Sequence, residues 1–124
     1  MSARLGARVT VSLLAADLGR TLAFYQGLGF RVTGEYDDDD GTWAEVRRDS
    51  AVLQFFTDPP PGVPPRPALS GTIYFYPDDV AALAEEWQGK VAFEWGPEVM
   101  PYGMREFGLK DPNGYYLAFT EPVE

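Results

Sequence analysis

The chain has 124 residues, of which 45% are apolar, and a formal net charge of −9 with a sequence pI near 4.4. That length suffices for one domain with a continuous core, and the acidity disfavours nucleic acid and anionic membranes, favours a cationic partner, and serves solubility. The complete absence of Cys and His removes zinc clusters, thiol and histidine nucleophiles, and imidazole bases.

In chain order, Arg8 to Leu14 alternates β-branched and small polar residues and predicts a first strand. Val9 to Ala16 is the one apolar run near the start, too short for a membrane span and marginal for a signal segment, so a cytoplasmic protein is expected. Asp17 stands at an N-cap position before Leu18, Leu22, Phe24 and Tyr25 at helical spacing, and Gly27 and Gly29 stop the helix. Phe30 to Tyr36 resumes as a strand. Asp37 to Asp40 with Gly41 reads as a solvated turn, because the run lacks the alternation and distal Glu of a calcium loop. Trp43 to Arg48 and Ala51 to Thr57 pair across Asp49-Ser50 as a hairpin.

Asp58 to Pro67 holds six prolines, a stiff extended linker unable to enter a sheet interior. Beyond it Gly71 to Tyr76 predicts a strand. Asp78 or Asp79 caps a helix carrying Val80, Leu83, Ala84 and Trp87, with Gly89 ending it, and Val91 to Trp95 predicts another strand before Gly96-Pro97. Trp87 occupies a core position of its helix. The chain closes with Met104 to Leu109 and Tyr115 to Phe119 around Asp111-Pro112-Asn113-Gly114, a composition that specifies a β-hairpin turn.

The two halves repeat. A shift of 62 positions lays Thr10 on Thr72, Val11 on Ile73, Asp17 on Asp79, Leu18 on Val80, Tyr25 on Trp87 and Asp49 on Asp111, and two further residues in the second turn align Leu53 to Phe55 with Leu117 to Phe119. A repeat of this length implies a duplicated supersecondary unit. The expected fold is α+β: two tandem βαβββ modules (residues 1–57 and 71–124, linker 58–70) in a single domain, forming a curved, cleft-bearing mixed sheet with helices on its outer faces.

Asp17 with T-L-A-F-Y-Q-G-L-G-F, then Y-F-Y-P-D-D-V-A-A-L, then Y-G-M-R-E-F with D-P-N-G-Y-Y-L-A-F-T-E-P together resemble the vicinal oxygen chelate superfamily of glyoxalases, bleomycin-resistance proteins and extradiol dioxygenases. Metal-dependent members of that superfamily place His, Glu or Gln on the first and last strands of each module. The resemblance puts Thr10, Gln54, Thr72 and Ala118 at those positions. Ala118 has no ligand atom and neutral hydroxyls are poor ligands, so no metal and no other cofactor is expected.

If those four residues face a cleft, strand alternation sends Ser12, Leu14, Val52, Phe56, Tyr74, Tyr76, Tyr116 and Thr120 to the same side. Val9, Val11, Leu53, Phe55, Ile73, Phe75, Leu117 and Phe119 then pack under the helices. Trp43, Tyr102, Met104 and Glu106 are expected at the rim or wall. The candidate ligand-binding set is therefore Trp43, Gln54, Phe56, Tyr74, Tyr76, Tyr102, Met104, Glu106 and Tyr116, with no catalytic residue. An aromatic cleft in an acidic chain suits a flat or cationic ligand; Glu106, and more weakly Glu45, supplies a carboxylate for a basic group. The tyrosines equally suit a dimer interface or a filled cleft. Arg105 fits an exposed or salt-bridged role better than an anion clamp.

The segment Val52-Leu53-Gln54-Phe55-Phe56 before a Pro-containing loop resembles the metal-free, drug-binding members particularly. That resemblance implies a small-molecule-sequestering homodimer with clefts at the subunit junction, with neither nucleic acid nor membrane as a partner. The alternatives are a glyoxalase- or dioxygenase-like lyase or oxidoreductase with an atypical or metal-free site, and an interaction domain whose cleft is vestigial. Without His, no base has a resting pKa near neutrality, although a Glu in an aromatic cleft is a candidate for a raised one.

Overall fold

The computed structural model of the chain describes every residue except Met1, Ala7, Arg8, Asp39 and Asp40. The elements are β1 (Val11–Leu14), α1 (Leu18–Gly27), β2 (Arg31–Asp38), β3 (Gly41–Arg48) and β4 (Ala51–Phe56), then β5 (Thr72–Phe75), α2 (Val80–Trp87), β6 (Trp95–Val99), β7 (Met104–Lys110) and β8 (Tyr116–Pro122). The fold is α+β, two βαβββ modules in tandem. Each module makes its own four-stranded mixed sheet, in the orders β1-β4-β3-β2 and β5-β8-β7-β6.

The local chemistry explains the boundaries. Asp17 and Asp79, both extended, cap the two helices by accepting from the amides of Arg20 and Ala82, each at 3.0 Å. At the β7–β8 turn, Asp111 Oδ1 accepts from the amides of Asn113 (2.8 Å) and Tyr115 (3.0 Å), and Gly114 takes φ +89°. β1 pairs in parallel with β4, Ser12 opposite Gln54, and β5 with β8, Tyr74 opposite Ala118.

Two expectations need correction. The first strand begins at Val11, not at Arg8, which lies outside the described residues; the ladder with β4 starts at Val11 opposite Leu53, and Val9, expected beneath a helix, is 81% exposed. The strand expected over Val91 to Trp95 is displaced: Val91 and Phe93 pack against the core, and the ladder with β7 runs from Trp95 to Val99. Gly96-Pro97 sits inside that edge strand at a register shift between Trp95 and Glu98, a place where a missing N–H costs no ladder bond. In the acidic turn, Asp39 and Asp40 lie outside the described residues, while Asp37 accepts from the Thr42 hydroxyl at 3.0 Å.

One hydrophobic cluster joins the modules. Leu13, Leu53 and Phe55 of the first sheet and Phe107, Leu109, Leu117 and Phe119 of the second share it with Tyr25 of α1 and Trp87 of α2. Trp87 is 1% exposed, packs edge-on against Phe107 and Phe119, and donates its Nε1–H to the Leu28 carbonyl at 3.2 Å. Polar bonds cross the same seam: Tyr25 donates to Asp111 Oδ2 (2.8 Å), Asn113 Nδ2 donates to the Thr21 hydroxyl (3.1 Å), and Tyr115 donates to the Leu14 carbonyl (2.6 Å). Burial, aided by Asp111, pushes the Tyr25 hydroxyl well above its usual range. Arg48 ties the β3–β4 turn to α2, donating to Leu28 O (2.7 Å) and both Glu86 oxygens (2.7 and 3.1 Å) over the Trp87 ring. Among the described residues no helix is long and apolar enough to cross a membrane.

Candidate functional site

With the core between the sheets and helices, the opposite face of each sheet points away from it. Period-two alternation sends Leu53 and Phe55 inward and Ser12, Glu45 and Gln54, which stand in register, outward. The same rule sends Leu117 and Phe119 inward. Trp95, Gly108, Ala118 and Tyr74 then form one outward row, and Glu98, Glu106 and Thr120 the next.

The first face carries a polar relay. Trp43 stands in register with Phe56, and its indole lies on Gly34, where an added Cβ would meet ring carbons at 3.1 and 3.2 Å. Its Nε1–H donates to Gln54 Oε1 (3.3 Å), Gln54 Nε2 donates to Glu45 Oε2 (3.0 Å), and the Thr33 hydroxyl donates to Glu45 Oε1 (2.9 Å). Arg47 stands 3.9 Å from Glu45.

The second face is built around a carboxylate. Glu106, expected at the rim or wall, is 1% exposed, lying beneath two aromatic donors. Trp95 Nε1 donates to Oε2 at 2.9 Å and the Tyr102 hydroxyl donates to Oε1 at 2.8 Å. The bond to Glu106, more than desolvation or the neighbouring Tyr74, raises the Tyr102 pKa. The Trp95 indole covers Gly108, leaving no room for a side chain there, and its ring centroid lies 6.2 Å from that of Tyr116. Lys110 sits over the Tyr116 ring at 5.9 Å. Across the ladder from Glu106, Thr120 is 2% exposed, and its Oγ1 has no hydrogen-bond partner.

Of the sequence-predicted residues, Trp43, Gln54 and Phe56 thus gather on the first face, and Tyr74, Tyr102, Met104, Glu106 and Tyr116 on the second, where Met104 opposes Pro122. Tyr76 lies just past β5 and lines a groove of about 680 Å³ between that strand, the start of α2 and the β3–β4 turn. Four carboxylates (Asp49, Asp78, Asp79, Glu86) and one arginine, Arg48, border the groove over a floor that includes Phe30 and Trp87. Arg105 points to neither aromatic group; it stands 3.8 Å from Glu121. Sequence reasoning missed Trp95, which stands opposite Gly108 on an outward row. Thr120 was placed on the correct face and left out of the site.

A divalent ion does not fit the four positions to which the resemblance to metal-dependent members points. Thr10 and Thr72 are exposed hydroxyls, Ala118 is fully buried without a donor atom, and the Gln54 amide is committed to Glu45 and Trp43. Among the described residues, no three carboxylates converge elsewhere.

Residues 8–119 match the family model of the Glyoxalase/Bleomycin resistance protein/Dioxygenase superfamily. Among curated protein sequences nothing matches the chain. Among solved structures it is similar to a bleomycin-binding protein complexed with bleomycin, at 26% identity over 94% of this chain and 98% of that one, with a TM-score of 0.70. It is similar at 26% identity, over the same shares and with a TM-score of 0.67, to a bleomycin resistance determinant encoded on the transposon Tn5. A lactoylglutathione lyase from Agrobacterium tumefaciens shares the fold at 20% identity, over 95% of this chain and 96% of that one, with a TM-score of 0.67. With a match that spans nearly all of both modules, the chain belongs to the glyoxalase/bleomycin resistance protein/dioxygenase superfamily.

Proposed function

We propose that the chain is a metal-independent small-molecule-binding protein of the bleomycin-resistance type, which sequesters a cationic or aromatic ligand without changing it. The observation that carries this reading is the second sheet's outward face. There Trp95 and Tyr102 donate to the buried Glu106 carboxylate, Tyr74 and Tyr116 stand on the same outward side, and the face offers no thiol or imidazole for chemistry. Aromatic rings bind planar ligands by stacking and cations through their faces, each contact contributing roughly 0.5–2 kcal/mol. The acidic border of the neighbouring groove and the net charge of −9 draw cations towards it.

The protein acts as a homodimer in the cytoplasm, with each cleft made from the first face of one copy and the second face of the other. Support comes from the direction of the two faces, which leave the common core on opposite sides of their sheets, and from the exposure of Tyr74 (46%), Tyr102 (57%) and Tyr116 (41%). A bleomycin-binding protein at 26% identity makes bleomycin the first probe.

The test is a titration of the purified protein with bleomycin and with aromatic cations, followed by tryptophan fluorescence and melting temperature, with the recovered ligand examined by mass spectrometry. Saturable quenching, a raised melting temperature and unchanged ligand are expected. Conversion of the ligand, or a saturable melting shift with Zn²⁺, Ni²⁺, Mn²⁺ or Fe²⁺, would overturn the reading in favour of an enzyme.

A further inference from the structure

We propose that Glu106 and Thr120 form a pit for the protonated amine or amidinium of the ligand, and that the Tyr102 hydroxyl occupies this pit in the free chain. The inference rests on the binding function proposed above and specifies the chemical group that is recognised.

An ionised carboxylate offers about four acceptor positions. Trp95 and Tyr102 fill two of them, and among the described residues no cation pairs with Glu106. The nearby cations are engaged elsewhere, Arg105 with Glu121 and Lys110 with Glu94 and the Tyr116 ring. Thr120 stands directly across the antiparallel ladder from Glu106, on the same face, and such cross-strand neighbours have Cβ atoms about 5 Å apart. Its hydroxyl is buried and has no partner. Buried polar groups almost always have partners, so one without marks a place where a partner arrives. An ammonium or amidinium, with three or more N–H donors, bridges a carboxylate and a hydroxyl at that spacing; a neutral or anionic ring does not.

Tyr102 is the group able to leave. Its ring is 57% exposed while the carboxylate it caps is 1% exposed. It stands in the short turn between β6 and β7, where Gly103 takes φ +80° and donates its N–H to Met100 O at 3.0 Å. Its hydroxyl donates one hydrogen bond to Glu106, as the ligand's first N–H would, and leaves Thr120 unmet. The Trp95 bond on the other oxygen holds the carboxylate in place through the exchange.

The experiment measures binding of benzamidinium and phenethylammonium, with benzyl alcohol and benzoate as the neutral and anionic controls, to wild type and four variants. Thr120→Val should weaken both cations about ten-fold, the loss of one hydrogen bond to a charged group. It should also raise the melting temperature, because it removes an unpartnered buried hydroxyl. Thr120→Ser should keep wild-type affinity. Tyr102→Phe removes the internal competitor and should tighten the cations several-fold, and Glu106→Gln should erase the preference for cations over benzyl alcohol. Wild-type binding of cations with Thr120→Val and Tyr102→Phe unchanged would overturn the pit alone, as would a lowered melting temperature for Thr120→Val. Binding of neither bleomycin nor any aromatic probe by wild type would overturn the binding function itself and the pit with it. Should Glu106→Gln fail to fold, the Thr120 and Tyr102 variants still decide the matter.

Discussion

Gly108→Ala is the sharpest probe of how the second face is assembled. Gly108 lies in β7 between Trp95 and Ala118, and an added Cβ would fall inside contact distance of three atoms of the Trp95 indole. Those atoms belong to a rigid ring, so the indole must leave as a unit and its 2.9 Å bond to Glu106 goes with it. Overpacking of this kind costs about 1–3 kcal/mol, and losing a hydrogen bond to a charged group costs about 1.5–3 kcal/mol more. Removing a glycine from a strand returns roughly 0.5–1 kcal/mol, so the net loss should be about 2–5 kcal/mol. Urea unfolding followed by tryptophan fluorescence reads it as a lower midpoint at unchanged slope, with native emission shifted to the red. Gly34→Ala serves as the control. Its Cβ would meet the Trp43 ring at 3.1 Å and need only a small adjustment, so its cost should stay below about 1 kcal/mol. In a Trp95→Phe background the Gly108→Ala penalty should shrink, which a double-mutant cycle measures directly. A Gly108→Ala protein as stable as wild type, with unchanged emission, would refute this account of the face.

Other perturbations test the rest of the framework. Asp111→Ala strips the partner from two turn amides and the buried Tyr25 hydroxyl and should cost about 3–5 kcal/mol by urea unfolding, whereas Asp111→Asn keeps one oxygen for the amides and should cost less than half as much. Gly96→Ala combines φ +70° with a clash against the Glu106 carbonyl and should destabilise by about 3 kcal/mol or more, measured in the same way. The hydrogen bond from Arg48 holds the Glu86 carboxyl below its usual 4.5. A carboxyl depressed in the folded state adds stability above its unfolded pKa and loses it as pH falls through the folded value. Melting temperature should therefore drop below pH 4.5 by an amount that Glu86→Gln abolishes, modestly, since the Glu86 side chain is 45% exposed.

The parts legible in the sequence were those governed by short-range chemistry. Asp17 and the pair Asp78-Asp79 announced both helices, Asp111-Pro112-Asn113-Gly114 announced the last hairpin, and alternation on β4 and β8 sorted Gln54 and Ala118 from Leu53, Phe55, Leu117 and Phe119. Where a partner strand decides the outcome, local pattern misled. Val91 and Phe93 look like strand residues but serve the core, and the ladder instead runs through Gly96-Pro97, which only an edge position tolerates. Glu106 shows the same limit for the site. It was expected at the rim or wall, yet the depth of the carboxylate comes from Trp95 and Tyr102, brought over it by β6 and the turn that follows. No periodicity within β7 carries that information.

The two faces also differ in how complete they are. On the first, Trp43, Gln54, Glu45 and Thr33 satisfy one another in a row; on the second, Thr120 is left unmet and Tyr102 caps Glu106 from an exposed position. In the proposed junctional cleft a ligand that touches both spans two copies, with the first face as a fixed wall and the second as the recognising surface. This makes a complementation experiment decisive. A protein altered only on the first face, Trp43→Ala, and one altered only on the second, Tyr116→Ala, should each bind bleomycin poorly when pure. In an equilibrated equal mixture half of the dimers are mixed, and each of these has one intact cleft, so about one quarter of all clefts should bind normally. A mixture that binds no better than either parent would place the whole site within a single copy and overturn the junctional cleft, while leaving the Glu106 face as the ligand's anchor.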